Sequence, residues 1–458
     1  MKIAASLQDR ILASFFAIAG VGLLACAYQW FTLRTNTGWV GAGLCALVLG
    51  GIGWAWRGGP DRKKRAAALL CSSLVSAWLL EALIAAVPGA SGDVAERRAA
   101  AAKRLGVPFD ARGKVQILQD LRATGARWYP AIGPHQFMAD NLLPIAGTKV
   151  LPLGGIGGAA VVDCNENGYY STTTTDELGF VNPRGIWSTP GPLDAALVGD
   201  SFTRGCCVRD TETIAAHLRQ HLPRTVSLGS LGNGPLVQLA TITEYFQTRD
   251  VKWVFWLYYE ANDLTDLETR EVNQPVLQNY LADPQYTQKL EWHQPAVDAA
   301  LRAFVEQNLA HALALAHPMR DCIFDHATLA NVRRALASLK GVVLPPPPRQ
   351  YSLTRFGQIL GAAKARVAAR GGQLVFVYLP EYGRYIGQRL DEESSAHRKP
   401  EVLALARDLG LAVIDVDPAF AAVADPATLF PFGLFGHYNA AGYRLVADQI
   451  LRFLGKGG

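Results

Sequence analysis

The sequence predicts an α/β protein, a doubly wound parallel sheet with a helical insertion, preceded by three membrane-spanning helices. Short apolar strands alternate with amphipathic helices from about residue 161 to the C-terminus, an order typical of a parallel sheet covered by helices on both faces. The first ninety residues are far more apolar than the rest, and they contain three runs long enough to cross a bilayer.

Residues 1–88 form the predicted membrane region, with spans at about 11–33, 39–56 and 66–87. A cleaved signal peptide can resemble the first run, but two further apolar runs follow it. The basic loop 57–65 separates the second and third spans and is expected in the cytoplasm, as is the N-terminus. We therefore expect a multi-pass protein of the inner (cell) membrane whose C-terminal domain is periplasmic.

Composition and cysteine usage narrow the function classes. The net charge of +5 over 458 residues is too small and too dispersed to suggest nucleic-acid binding. Four of the seven cysteines fall in the outer part of the chain, where disulfides persist. We expect Cys164 to pair with Cys207 or Cys206, and Cys322 is the fourth. The spacing fits no zinc site, and no metal or cofactor is expected.

Two regions follow the membrane part. Residues 89–160 are expected to begin as a helical or flexible stalk and then to pack on the main domain, with no chemistry of their own. Residues 161–458 form the main domain, with an insertion at about 266–341 and a hairpin at 161–175. We predict core strands at 195–198, 225–228, 253–259, 373–379 and 412–415, and helices at about 212–221, 236–247, 353–369, 400–409 and 440–453.

Four loops at predicted strand ends carry the residues of one chemistry. Ser201 follows the first strand, Gly232 lies in the loop after the second, Asn262 follows the third, and His437 precedes the last helix. In a doubly wound sheet such loops converge on one crevice. A serine, a glycine N–H, an asparagine amide and a histidine provide a nucleophile, oxyanion donors and a base, which acyl transfer requires.

These four blocks resemble those of the SGNH (GDSL-type) hydrolase and acyltransferase family. The string Gly-Asp-Ser-Phe-Thr-Arg-Gly at 199–205 and the upstream segment Asp-Glu-Leu-Gly-Phe-Val-Asn-Pro at 176–183 add to the resemblance. It implies the flavodoxin-like sheet of that family over about residues 161–454. It also implies Ser201 as nucleophile, His437 as general base, and an oxyanion hole made by the Ser201 N–H, the Gly232 N–H and the Asn262 side chain.

One position departs from the family pattern. The family usually carries an Asp three residues before the His, and this chain has Leu434 there. A Ser-His dyad with a backbone carbonyl as acceptor is one explanation, and a substitute acid, either Asp425 or Glu260, is another. A weakened site that binds glycan without turning it over is the third.

The function expected from these observations is a membrane-anchored periplasmic serine esterase or deacylase. Its substrates would be O-acyl groups of an envelope or secreted polysaccharide, an expectation that follows from the predicted location. One alternative is a polysaccharide O-acetyltransferase that works with a membrane partner supplying the acyl donor. Others are a non-catalytic glycan-binding scaffold and a membrane lipase with an apolar cap.

Overall fold

The computed structural model describes residues 6–19, 37–86, 94–138, 141–145, 147–315, 329–334, 336, 351–386 and 394–456. Contacts divide the chain into two compact units. We call Met1–Gly92 with His317–Leu339 the N-terminal unit, and Asp93–Ala316 with Lys340–Gly458 the sheet unit.

The N-terminal unit is helical in its described parts. Helix α1 covers 7–19, α2 covers Thr37–Trp56 and α3 covers Pro60–Ala86. Among the described residues, one helical stretch, Pro60–Ile84, is long and apolar enough to cross a membrane, and Ala46–Trp56 is a shorter apolar helix. Much of the first predicted span, residues 20–33, lies outside the described residues. The three spans therefore stay a prediction.

The sheet unit begins with two helices and two small sheets. The elements are α4 Val94–Leu105, α5 Lys114–Ala123, β1 Trp128–Pro130, β2 Leu143–Ile145, β3 Thr148–Val150, β4 Ala160–Val162 and β5 Thr172–Thr174. Strand β1 pairs with β4 in parallel, and β4 pairs with β5 antiparallel, with Ala160 opposite Thr174. Strands β2 and β3 form a separate antiparallel pair. The predicted hairpin at 161–175 is confirmed by the pairing of β4 with β5.

The rest of the sheet unit alternates strands and helices. Its elements are β6 Leu193–Val198, α6 Ser201–Arg204, α7 Ile214–Arg219, β7 Thr225–Ser227, α8 Pro235–Tyr245, β8 Val251–Tyr259, α9 Asp263–Asp266, α10 Pro275–Ala282, α11 Gln294–Leu315, α12 Leu353–Ala368, β9 Gln373–Leu379, α13 Lys399–Asp408, β10 Ala412–Asp415, α14 Asp417–Ala421 and α15 Ala440–Phe453. Strands β6 to β10 form the central parallel sheet. Their order is β7-β6-β8-β9-β10, which is the 2-1-3-4-5 order of flavodoxin-like sheets, so the predicted doubly wound parallel sheet is confirmed.

Alternate residues of the central strands point to opposite faces of the sheet and form two cores. On β8, Val254 and Trp256 belong to the core that includes residues of α8, α12 and α13. Phe255 and Leu257 belong to the core that includes residues of α7 and α15. The uninterrupted apolar runs of these strands follow from this burial on both faces.

The insertion is helical in its described parts. Helices α10 and α11 lie within the predicted helical insertion, while residues 316–328 and 337–350, with the proline run 345–348, lie outside the described residues. Within the N-terminal unit, the buried Glu81 carboxylate accepts hydrogen bonds from the backbone N–H groups of Asn331 and Val332 at 3.1 and 2.9 Å. A carboxylate at these free N–H groups caps the helical stretch 330–334.

The segment at 176–183 is a support for the central sheet. The buried Asp176 carboxylate accepts hydrogen bonds from the Leu178 and Phe180 N–H groups and from the Asn182 amide. The Asn182 amide in turn bonds both the N–H and the C=O of Ser227 on β7. The motif therefore braces a strand whose following loop carries Gly232.

Candidate active site

Ser201 is the first residue of α6, directly after β6. Asp200 caps this helix, because its carboxylate accepts a hydrogen bond from the Phe202 N–H at 2.9 Å. The same carboxylate also accepts a hydrogen bond from Asn262 Nδ2 at 3.0 Å. The first N–H groups of a helix have no partner within the helix and favour a developing negative charge. Asp200 therefore makes hydrogen bonds that shape the turn beside Ser201.

His437 lies beside the serine. Ser201 Oγ is 2.8 Å from His437 Nε2, a distance at which the hydroxyl donates to the imidazole. The Phe202 ring packs against the imidazole with 4.7 Å between ring centroids. The structure therefore brings the predicted nucleophile and base together in a geometry suited to proton transfer.

Glu166 occupies the place next to Nδ1 that the sequence left open. Its Oε2 accepts hydrogen bonds from the His437 backbone N–H at 2.7 Å and from His437 Nδ1 at 3.2 Å. A carboxylate here selects the tautomer in which Nε2 is free to accept the serine proton. Ser201, His437 and Glu166 thus form a serine-histidine-acid triad.

This contact corrects the expectation that Asp425 or Glu260 orients the imidazole. Glu260 is fully buried and is paired with Arg384, and it also accepts from the Tyr378 hydroxyl and the Glu381 N–H. Asp425 caps a surface turn by accepting from the Ala427 N–H at 3.1 Å. Both carboxylates therefore have other partners. The expected dyad with a backbone carbonyl is also corrected, because the Glu166 carboxylate contacts His437 Nδ1.

Gly436 makes room for this acid. A Cβ atom on residue 436 would lie 2.7 Å from both Glu166 Oε2 and Arg98 Nη2, closer than a real Cβ can approach. Any other residue would push the carboxylate away from the backbone N–H of His437. The glycine before the histidine therefore permits an acid from another part of the chain to take the place of the family Asp.

The turn at residues 163–171, which we call the acid turn, is fastened to the segment after Ser201. A disulfide joins Cys164 to Cys207, so the first of the two predicted pairings is correct, while Cys206 is free and buried. Arg204 pairs with Asp163 at 3.0 Å in a buried ion pair. Cys322 lies outside the described residues. The acid turn is thus held by covalent and ionic contacts beside the catalytic groups.

The two further oxyanion candidates lie on loops that contact the residues before Ser201. Asn262 bonds to Asp200, as described above. The loop of Gly232 approaches Gly199, whose carbonyl accepts from Ser230 N at 3.4 Å and Asn233 Nδ2 at 3.3 Å. Gly232 itself has a φ of +65°, and a Cβ there would also lie 3.0 Å from the His135 side chain. This loop shape requires glycine.

The charges of the triad stabilise each other. Burial opposes ionisation of Glu166, but the charge and hydrogen bonds of His437 and the charge of Arg98 outweigh it and lower the pKa of Glu166 to about 2. Burial also opposes the charged form of His437, yet the Glu166 carboxylate outweighs it and raises the pKa of the imidazole. The acid therefore stays ionised and favours an imidazolium that forms during reaction.

Two groups of side chains have spacings that could suit a metal ion, within the part of the chain that the structure describes. They are Glu166 with Cys207 and His437, and Asp163 with Cys164 and Cys206. Each group includes one sulfur of the Cys164–Cys207 disulfide, and a disulfide sulfur is not the thiolate that metals bind. Each group is therefore left with two ligands at most.

Glu166 was the functional residue missed from the sequence. Two signals pointed to it. The expected pairing of Cys164 with Cys206 or Cys207 places residue 166 near the Ser201 segment, and Gly436, which has no side chain, leaves space beside His437. The two signals identify Glu166 only together, and combining them requires knowing how the hairpin 161–175 packs.

No protein-family model matches the chain, and no curated protein matches it. Among solved structures, a protein from Slackia heliotrinireducens described as an SGNH hydrolase is 15% identical, with a TM-score of 0.30 over 58% of this chain and 100% of its own. An acetyl xylan esterase is 12% identical, with a TM-score of 0.31 over 57% and 99%. A lipase/acylhydrolase from Enterococcus faecalis is 13% identical, with a TM-score of 0.30 over 57% and 94%. The chemistry of this chain follows from its own side chains.

Proposed function

We propose that this protein is a serine esterase of the SGNH type. The observation that supports it most is the continuous relay from Ser201 Oγ to His437 Nε2, and from His437 Nδ1 to Glu166, with distances of 2.8 and 3.2 Å. This is the arrangement that activates a serine hydroxyl for attack on a carbonyl.

The proposed reaction proceeds through an acyl-enzyme. His437 Nε2 takes the Ser201 proton as Oγ attacks the ester carbonyl carbon, and the Ser201 N–H, the Gly232 N–H and the Asn262 amide stabilise the oxyanion. The intermediate collapses, the C–O bond to the alcohol breaks, and His437 returns the proton to the leaving alcohol. A water molecule then repeats the sequence on the acyl-enzyme and releases the acid. Glu166 remains ionised throughout and stabilises the imidazolium.

The proposed substrates are O-acyl groups of an envelope or secreted polysaccharide, and the proposed setting is the periplasmic face of the cell membrane. The apolar N-terminal runs and the basic loop 57–65 support membrane anchoring with the catalytic domain outside. Phe435, two residues before His437, is 57% exposed and offers an apolar surface near the site.

Two alternatives use the same residues differently. An O-acetyltransferase would pass the acyl group from Ser201 to a sugar hydroxyl instead of water, and it would need a membrane partner that supplies the acyl donor. A non-catalytic glycan-binding scaffold was favoured mainly by Leu434. The carboxylate of Glu166 beside His437 removes that support, so we favour catalysis.

The test is labelling of the full-length protein in detergent with a fluorophosphonate probe, alongside hydrolysis of p-nitrophenyl acetate. We expect labelling and turnover in the wild type, and neither in Ser201→Ala or His437→Ala. Ser188→Ala, on an exposed turn, is the matched control and should behave as the wild type. A folded wild-type protein without labelling or ester turnover would contradict the proposal.

Hydrolase and transferase are separated by a second measurement. Acetylated polysaccharide is incubated with the protein and with an excess of a free sugar acceptor, and acetate and acetylated acceptor are both measured. Release of acetate alone supports the esterase, whereas acetylated acceptor supports the transferase. Glycan binding that persists in Ser201→Ala, in a protein without turnover, would support the scaffold.

A further inference from the structure

Arg98 lies directly behind the triad, although it comes from the segment expected to act as a stalk. Its side chain is 9% exposed. Nη2 donates to the Phe435 carbonyl at 2.8 Å and lies 3.0 Å from Glu166 Oε1. One guanidinium therefore contacts both the acid of the triad and the backbone two residues before His437.

We propose that Arg98 is a positioning residue of the active site, which fastens the Glu166 carboxylate to the His437 loop so that the imidazole faces Ser201. This inference rests on the proposed function. It means that activity also depends on a residue outside the four sequence blocks. This residue lies on helix α4, which precedes the central sheet by almost a hundred residues.

Helix α4 is built to hold this side chain in place. It is rich in alanine, the residue with the highest helix propensity, and its buried residues are Arg98, Ala101 and Ala102. Small side chains on this face let the helix lie close to the turn Pro431–Gly433. Gly106 directly follows the helix at a φ of +68°, and the Val107 N–H donates to the Ala102 carbonyl at 3.0 Å. This C-terminal cap fixes the end of the helix.

The two oxygens of Glu166 have separate partners. Oε2 accepts from the His437 backbone and ring, while Oε1 faces Arg98. The glycine at 436 brings all three groups together, because a side chain there would collide with both charged partners. With Arg98 removed, a buried carboxylate would lose its cation, and an unpaired buried charge is strongly unfavourable. We expect the carboxylate to turn towards solvent and to release the imidazole.

The role is one of positioning because Arg98 contacts Glu166 and the Phe435 carbonyl, while Ser201 bonds to His437. A loss of orientation slows the chemical step and leaves substrate binding unchanged. Misplacement of a catalytic group by about 1 Å can reduce the rate by about 100-fold. Arg98→Met should therefore lower kcat for p-nitrophenyl acetate by about that factor, with KM unchanged.

The experiment uses the full-length protein in detergent with three single variants. Arg98→Met is compared with Arg98→Lys, in which the ammonium group can retain one of the two contacts and should recover part of kcat. Arg97→Met is the matched control, since Arg97 is the exposed neighbour on the same helix. It loses the same charge and should keep wild-type kinetics. Circular dichroism melting establishes that each variant is folded, and Arg98→Lys carries the test where Arg98→Met does not fold.

A double-mutant cycle with Glu166→Gln decides whether Arg98 acts through the acid. In the Glu166→Gln background, Arg98→Met should reduce kcat by less than about 3-fold, because the partner that it positions is already neutral. Fully additive losses would overturn the proposal, as would wild-type kcat in Arg98→Met. A folded wild type without turnover would instead count against the proposed function. In that case the low-field NMR signal of the His437 Nδ1 proton, lost in Arg98→Met and kept in Arg97→Met, still tests the positioning.

Discussion

The two sides of this active site are built by different means. On the nucleophile side, residues 199–204 and the loops of Gly232 and Asn262 lie at the ends of neighbouring parallel strands, and hydrogen bonds within and between these loops shape them. On the acid side, Glu166 and His437 are 271 positions apart and meet through a disulfide, ion pairs and a glycine gap. The difference shows that a nucleophile depends on local backbone shape, whereas an orienting acid needs only a carboxylate at Nδ1, which any nearby segment can provide.

This difference has an energetic consequence. The acid side has three separate restraints, namely the Cys164–Cys207 disulfide, the Arg204–Asp163 pair and the Arg98–Glu166 pair. Loss of one restraint should therefore lower the catalytic rate without abolishing activity. On the nucleophile side each role is filled by one group, so loss of Ser201 should abolish activity.

The largest effect on the acid side is expected from Glu166→Gln. An amide in this place cannot stabilise the imidazolium and allows the wrong tautomer, and the corresponding change in serine proteases lowers kcat by about 10⁴-fold. We expect a fall of about 10³- to 10⁴-fold, measured by ester turnover and probe labelling. Asp425→Asn is the control, since it keeps the cap on an exposed turn and should retain wild-type kcat. Equal activity of Glu166→Gln and the wild type would remove Glu166 from the mechanism.

The next effect tests the nucleophile side. Asn262→Ala removes a proposed oxyanion donor, and loss of one such donor lowers kcat by about 10²- to 10³-fold. The variant should remain folded, because Asn262 is only partly buried and its amide has Asp200 as its described hydrogen-bond partner. Turnover within a few-fold of the wild type would show that Asn262 does not reach the oxyanion.

The disulfide should have a smaller effect on rate and a larger one on stability. In the double variant Cys164→Ser with Cys207→Ser, we expect a lower melting temperature, since loss of a native disulfide typically removes about 2–5 kcal/mol. The acid turn keeps its ion pairs, so kcat should fall only about 10-fold, less than the roughly 100-fold that a 1 Å misplacement can produce. Cys71→Ser, which affects a free cysteine, serves as the control. A variant as active as the wild type would mean that the ion pairs alone hold Glu166.

The smallest effect is a shift in the pH profile. His437 must be neutral to accept the Ser201 proton, so activity falls as the pH drops through its pKa. Burial lowers that pKa, but Glu166, with Asp200 and Asp163, outweighs burial and raises it above the ordinary value of 6.5. The acid limb of kcat/KM should therefore lie above pH 6.5 in the wild type and move to lower pH in Glu166→Gln. An acid limb at the same pH in both proteins would contradict the coupling of the two groups.

The parallel sheet could be predicted from the sequence with close agreement. Strands Gln373–Leu379 and Ala412–Asp415 and helix Ala440–Phe453 were predicted with the same bounds that the structure has. Their signals are local, because buried apolar strands and amphipathic helices have distinct periodicities. Helix α7 is shorter than its predicted range 212–221, since Thr213 caps it by accepting from the Ala216 N–H.

The acid side could not be predicted in the same way. The family pattern directs attention to the residue three positions before His437, and Leu434 there offers no oxygen. Asp425 precedes His437 in the same C-terminal stretch, and Glu260 directly follows the strand 253–259. Their partners, the Ala427 N–H and the Arg384 guanidinium, become visible only in three dimensions. The same holds for Arg98, whose helix looked like a plain stalk.

The sequence by itself determined the strands and helices of a parallel sheet and singled out Ser201 and His437, because local periodicity and short motifs specify strands, helices and the loops between them. The order of the strands was implied by the family resemblance. The tertiary structure alone decided which carboxylate meets His437 and which cation meets that carboxylate. These choices depend on packing between a hairpin, a helix and a loop that are distant in sequence, where a gap left by Gly436 and a bond between Cys164 and Cys207 select one acid among many.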